Sequence, residues 1–215
     1  MKNKFKFLSV ILLGFAATAC VEDIETPDRG PQGNPETEVQ GTYTGTWTLE
    51  YTENTTVTTY TCDGTMKLAP KGEQAYAGIM TVDATFDNNA AMSISLSSAA
   101  NISPLTNAGS YQIYNSVTPN GLTKNAKNLD GTEIMVDKTN PETGETKQVN
   151  LEINATFMGQ IFPVNASGEL VKSDPAALES VLDFTYTYQK TVLVNNRPRK
   201  LDCKEVYHFE GVCRK

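Results

Sequence analysis

Gly41-Thr42-Tyr43-Thr44-Gly45-Thr46-Trp47-Thr48-Leu49-Glu50-Tyr51 decides the fold of this 215-residue chain. Tyr43, Gly45, Trp47, Leu49 and Tyr51 share one parity; Thr42, Thr44, Thr46, Thr48 and Glu50 share the other. Successive side chains leave a strand on opposite sides, so this alternation predicts a strand with one buried and one solvated face. Threonine is a good strand former that tolerates water.

Working outward, Tyr60, Cys62, Met66 and Leu68 repeat the pattern opposite Thr59, Thr61, Asp63 and Lys67. Further strand-like runs cover 76–86, 92–96, 133–136 and 149–157. Near the end, Phe184, Tyr186, Tyr188, Val192 and Val194 alternate with Thr185, Thr187, Gln189 and Thr191. Asn195-Asn196 tolerates the positive φ of a tight hairpin, and the return strand puts Leu201, Cys203, Tyr207 and Phe209 on one face. A single short helix is expected over 174–182. Ser173 or Asp174 can cap it, Pro175 suits its first turn, and Ala177, Leu178, Val181 and Leu182 form a helical stripe. The stretch 99–130, rich in Asn, Ser and Gly, is assigned to no element.

Many short antiparallel strands joined by polar turns imply an all-β domain over 40–215: an antiparallel barrel or, alternatively, a β-sandwich. A strong first and a strong last strand favour closure, because pairing them removes both exposed edges.

The N-terminus gives an address. Lys2, Lys4 and Lys6 precede an apolar stretch from Phe7 to Phe15 and then Ala16-Ala17-Thr18-Ala19-Cys20. That is the anatomy of a bacterial secretory signal over 1–19. The small residues before Cys20 resemble a lipobox, which implies cleavage at Cys20 and its acylation; several acyl chains anchor stably where one does not. Ala17-Thr18-Ala19 is also a site for ordinary signal peptidase, which would release a soluble protein. Residues 20–39 carry Glu22, Asp23 and Glu25, then Pro27, Gly30, Pro31, Gly33 and Pro35, and read as a flexible tether. Acids directly after the cysteine resemble the surface-export signal of Bacteroidota lipoproteins; a plain solvated tether is the other reading. The resemblance implies a lipid-anchored protein of the bacterial outer membrane, on the cell surface or facing the periplasm.

Val39 to Trp47 also resembles the opening strand of lipocalin-like and calycin-like lipoproteins of Bacteroidota. Gly41, Tyr43 and Gly45 match their G-x-Y-x-G strand, and Gly45 and Trp47 match the lipocalin G-x-W. The resemblance covers the signal, the tether and one strand. It implies an eight-stranded barrel that binds a small apolar or amphipathic ligand. On that reading Tyr43, Trp47, Tyr51, Tyr60, Tyr186 and Tyr188 line the ligand site, their hydroxyls and indole N–H supplying polar contacts among apolar walls. Alternatively they are plain core, and the chain is an accessory surface lipoprotein that binds protein or glycan without a pocket.

Charge argues against two classes of partner. Removing residues 1–19 takes away three lysines and no acid, moving the formal charge from −7 to −10, which leaves no electrostatic footprint for nucleic acid and no polybasic patch to hold the chain on an anionic lipid surface. With Cys20 lipidated, Cys62, Cys203 and Cys213 remain, an odd number in an oxidising compartment. Cys203 and Cys213 would lie about 33 Å apart on a straight strand, beyond the roughly 7 Å a disulfide allows. A Cys62–Cys213 bond, or a Cys62–Cys203 bond, would clip the two ends of the domain together; otherwise all three are small buried hydrophobes.

Catalytic motifs are missing. The one histidine, His208, falls on the solvated parity of the last strand. No G-x-S-x-G, phosphate-cradling glycine loop or H-E-x-x-H occurs. The pairs Asp83/Asp87 and Glu142/Glu145 lack EF-hand spacing and suit solvated turns. The expectation is a binding protein without cofactor or metal, and not an enzyme.

Overall fold

The computed structural model describes residues 38–73, 77–86, 93–105, 109–115, 121–171 and 175–215. The expected signal segment, Cys20 and the tether up to residue 37 lie outside the described residues, as do Tyr76, Asp87, Met92, Ser173 and Asp174. The described residues form β1 (Gly41–Glu53), β2 (Thr56–Pro70), β3 (Ala77–Ala84), β4 (Ile94–Pro104), β5 (Tyr111–Tyr114), β6 (Leu122–Asn125), β7 (Met135–Thr139), β8 (Thr146–Asn150), β9 (Glu152–Ala155), β10 (Phe157–Val164), β11 (Ala177–Val194) and β12 (Arg197–Arg214).

Eight of these close an antiparallel barrel in the order β1-β12-β11-β10-β5-β4-β3-β2, with β2 pairing back to β1. First and last strands are neighbours, Trp47 facing Phe209 and Leu49 facing Tyr207. The inward parity of β1 is the expected one: Tyr43, Trp47, Leu49 and Tyr51 are buried. An eight-stranded barrel is just wide enough for side chains to fill its interior or to hold one small ligand. Here the middle is filled. Trp47 packs against Phe209 with centroids 4.8 Å apart and against Phe184 at 5.8 Å, and Phe184 stacks on Tyr207 at 4.7 Å.

Two glycines make room for these rings, and a third, Gly45, lets the β12 backbone come close. Gly45 faces Gly64 on one side and Gly211 on the other. A Cβ on Gly64 would sit 2.6 Å from Trp47 Cδ1, and one on Gly211 would enter the Phe209 ring. Each ring thus lies over a bare stretch of neighbouring backbone, which is what a strand glycine permits. The G-x-W pair belongs to core packing.

The wall is uneven. β1, β2, β11 and β12 have 13, 15, 18 and 18 residues, whereas β5 has four. β10 accompanies β11 only from Ala177 to Phe184. Beyond that point the β6–β9 ribbon lies against β11 and β4, its Leu122, Ile153 and Ala155 buried. Asn115 joins ribbon to barrel, accepting from Phe157 N at 2.8 Å and donating to the Ala155 carbonyl at 3.4 Å. The β7–β8 hairpin stands outside and is mostly exposed.

Two expectations are corrected. The helix over 174–182 is replaced by the start of β11, whose Ala177 to Leu182 pair with β10 on one side and β12 on the other. The apolar stripe fits both periods, and two flanking strands decide between them, with Ser180 taking an inward place. Nor does a disulfide link Cys62, Cys203 and Cys213 among the described residues. Cys62 faces Trp47 on β1, which faces Phe209 on β12. Cys213 is four residues beyond Phe209 and Cys203 six before it, about 13 and 20 Å along the strand, and both exceed disulfide reach.

Candidate functional site

A buried polar network occupies the barrel end that holds the β1–β2 and β11–β12 turns. It begins with parity. Leu201, Cys203, Glu205, Tyr207 and Phe209 share the inward side of β12, so Glu205 is carried into the barrel by its place in the strand, and only 4 % of the residue is exposed. Three donors meet its two oxygens. Tyr188 donates to Oε1 at 2.9 Å, Tyr207 donates to Oε2 at 2.7 Å, and Lys124 Nζ lies 2.5 Å from Oε2. Lys124 comes from β6 and also donates to Tyr207 Oη at 3.0 Å. Its ammonium sits 4.9 Å from the centroid of the Tyr186 ring and 5.3 Å from that of Tyr207, a geometry in which ring faces attract a cation.

A second ion pair lies nearer the rim. Lys190, on the inward parity of β11, meets Glu53 at 2.6 Å, and Tyr51 donates to the same Glu53 oxygen at 2.9 Å. Lys190 also donates to Tyr51 Oη and to Asn128 Oδ1, both at 3.4 Å. The hydrogen bond from Lys190 pulls the Glu53 pKa below the usual carboxylate range against the effect of burial. Tyr51, Tyr188 and Tyr207 shift the other way: burial first, then Glu205 for Tyr188 and Tyr207, and Cys203 followed by Glu53 for Tyr51, hold their phenols far above the ordinary value. These hydroxyls therefore act as hydrogen-bond donors across the physiological range. Burial likewise raises the Cys203 thiol, which makes it an inert neighbour of Tyr51.

Beside this network is a cavity of about 310 Å³. Its lining combines the polar groups of Tyr51, Tyr207, Glu205 and Lys124 with the apolar Ile94 and Leu96 of β4, and includes Lys127 and Glu133. That volume lies at the small end of the range for ligand sites, roughly 300–1,000 Å³.

Of the six residues expected to line a ligand site, Tyr51 alone lines this cavity. Tyr43 is fully buried at the opposite end, donating to the Val39 carbonyl at 2.6 Å. Trp47 and Tyr186 are fully buried in the packed middle. Tyr188 supports the cavity from behind through Glu205, and half-buried Tyr60 lies along the part of β2 that pairs only with β1. His208 is outside the barrel, as its parity predicts.

No family model matches this chain, and no curated protein or solved structure matches it either. The site is therefore argued from its own residues. Sequence reading missed Glu205, Lys190 and Lys124. For two of them a signal existed: Glu205 interrupts the inward run Leu201-x-Cys203-x-Glu205-x-Tyr207, and Lys190 follows Tyr186 and Tyr188 at the same spacing. A charge on a buried parity must be paired or functional. Lys124 falls in the Asn- and Ser-rich middle and had no periodic neighbour to point it inward.

Proposed function

We propose that this chain is a lipid-anchored envelope protein whose barrel mouth binds a small amphipathic ligand. Its hydrogen-bonding end meets Tyr51, Lys124, Glu205 and Tyr207, and its apolar part rests on Ile94 and Leu96. The observation that carries the reading is the buried Lys124–Glu205 pair on the wall of the 310 Å³ cavity. Buried ion pairs seldom add stability over apolar packing, because desolvation offsets their attraction. Oriented polar groups at the edge of an apolar surface are what ligand recognition uses.

The address rests on the sequence: a signal over 1–19, Cys20 as the acylated residue, and Glu22 and Asp23 directing outer-membrane and surface placement. β1 runs away from the tether, from Gly41 to Glu53, so the cavity beside Tyr51 lies at the barrel end opposite the point where the tether joins. That polarity places the mouth at the end of the barrel farthest from the tether's attachment. It is a lipocalin-like plan in which the ligand sits at the rim, beyond the packed middle.

Thermal unfolding against a panel of small amphipathic acids, amines and glycosides tests the reading. A ligand at about 100 times its Kd adds roughly 2.7 kcal/mol of stability. The expected result is a raised Tm with at least one class, lost in Leu96→Trp, which fills the cavity. Stabilisation that survives Leu96→Trp, or none across the panel, overturns it.

A further inference from the structure

The β11–β12 hairpin outruns the barrel. β1 pairs with β12 no further than Glu53 opposite Cys203, and β10 leaves β11 at Phe184. Past Lys190 and Leu201 the two strands pair only with each other, to Val194 and Arg197, joined by Asn195 and Asn196 at φ 51° and 57°. The resulting tip, Thr191 to Lys200, has an unusual surface. Leu193 is 73 % exposed, more than any other large hydrophobic residue among those described, and Val194 beside it is exposed too. The return strand carries Arg197, Arg199 and Lys200, all exposed, and no acid occurs between Lys190 and Leu201. No ion pair holds these three cations among the described residues. This is a basic projection on a chain of net charge −7, and it corrects the expectation, drawn from overall charge, that the chain has no polybasic patch.

We infer that the hairpin tip is a docking element for an anionic phospholipid surface, with Leu193 and Val194 entering the headgroup region and Arg197, Arg199 and Lys200 meeting phosphates. Three features favour lipid over a protein partner. The tip is a lone two-stranded ribbon with no concave face to grip a folded surface. Pro198 removes a backbone donor and cations flank it, which guards the β12 edge against an added strand. The depths also agree: Lys200 pairs with Thr191, two residues behind Leu193, or about 7 Å, and interfacial segments bury their apolar side about 5–10 Å with basic residues behind it. Because the rest of the chain is acidic, a negative membrane repels the body and attracts the tip, so the contact has one orientation.

The test places an indole at the tip of the full-length chain by Leu193→Trp; the native Trp47 is fully buried and supplies a constant background. Vesicles of phosphatidylglycerol and phosphatidylcholine are compared with phosphatidylcholine alone. The expected result is a blue shift and quenching by brominated lipid on the anionic vesicles only, diminished in high salt. Neutralising Arg197, Arg199 and Lys200 to Gln in that background weakens partitioning about a hundredfold. A spectrum unchanged on both vesicles overturns the proposal, and so does an equal shift on both. A shift with poly-glutamate but not with vesicles overturns it in favour of an acidic protein partner. A shift that depends on protein concentration alone overturns it in favour of a second copy.

Discussion

Lys124 of β6 reaches Glu205 of β12 across 81 residues of sequence, Nζ to Oε2 at 2.5 Å, and so ties the ribbon over the barrel mouth to the longest hairpin of the wall. The pair is well sequestered, with side-chain exposures of 17 % and 6 %. Removing one partner leaves the other buried and uncompensated, at a cost of about 3–5 kcal/mol for a fully buried pair. Lys124→Met should fall at the low end, about 3 kcal/mol, since Tyr188 and Tyr207 still donate to Glu205. Chemical denaturation checks this, and a loss under about 1 kcal/mol would mean that the pair is a loose surface contact.

Neighbouring tyrosines should respond in opposite directions. Tyr207 donates to Glu205, whereas the buried Tyr186 hydroxyl has no hydrogen-bond partner among the described residues. A hydrogen bond to a charged group contributes about 1.5–3 kcal/mol, and an unsatisfied buried hydroxyl costs about 1–3 kcal/mol. Tyr207→Phe should therefore destabilise by about 2 kcal/mol, while Tyr186→Phe leaves the urea midpoint unchanged or raises it. If Tyr186→Phe proved the more damaging of the two, the assignment of partners would be wrong.

The barrel was legible wherever one face of a strand meets the core. In β1 and β12 a one-residue slip would expose every aromatic ring, so burial imposes period two on the sequence. The same logic made the polar site hard to see. Glu205 and Lys190 occupy inward positions and read as interruptions of an apolar pattern, although partners 81 and 137 residues away satisfy them. Residues 177–182 misled because a stripe of four apolar residues suits helix and strand alike, and only β10 and β12 choose between them. Trp47 carries two readings in the sequence, ligand contact or plain core, and the core one fits, since Phe184 and Phe209 fill the space around it.

The row Gly64–Gly45–Gly211 makes a steric prediction. A Cβ on Gly45 would collide with the Glu210 carbonyl and the Gly211 backbone, neither of which can rotate away. Gly45→Ala should cost about 3 kcal/mol or more through strand displacement. Thr46→Ala, one residue on and facing solvent, should cost under about 1 kcal/mol. Comparable losses at the two positions, read as Tm shifts, would contradict the close approach of β1 and β12 at Gly45.

His208 faces Asp183 across β11 and β12, Nδ1 to Oδ1 at 2.6 Å, with Glu210 Oε1 3.2 Å from Nε2. Partial burial pulls its pKa down, but the hydrogen bonds to Asp183 and then Glu210 outweigh it, leaving the imidazole above its ordinary 6.5. The folded state thus holds this proton more tightly than the unfolded one. Its stabilising contribution is complete below about pH 6.5 and is lost as pH rises through the folded value. An NMR titration should place the imidazole midpoint above 6.5, and Asp183→Asn should lower it. A midpoint at or below 6.5 in the parent protein would refute the pairing.

The claim that matters most is that the cavity beside Tyr51, Lys124 and Glu205 holds a ligand. A native mass spectrum of the protein recovered gently from its own envelope, with Leu96→Trp prepared in parallel, addresses it directly. The account predicts an added mass of a few hundred daltons on the parent chain, on the order expected for a cavity of this class, lost on denaturation and missing from Leu96→Trp. The bare polypeptide mass for both proteins, or the same adduct on both, would contradict it.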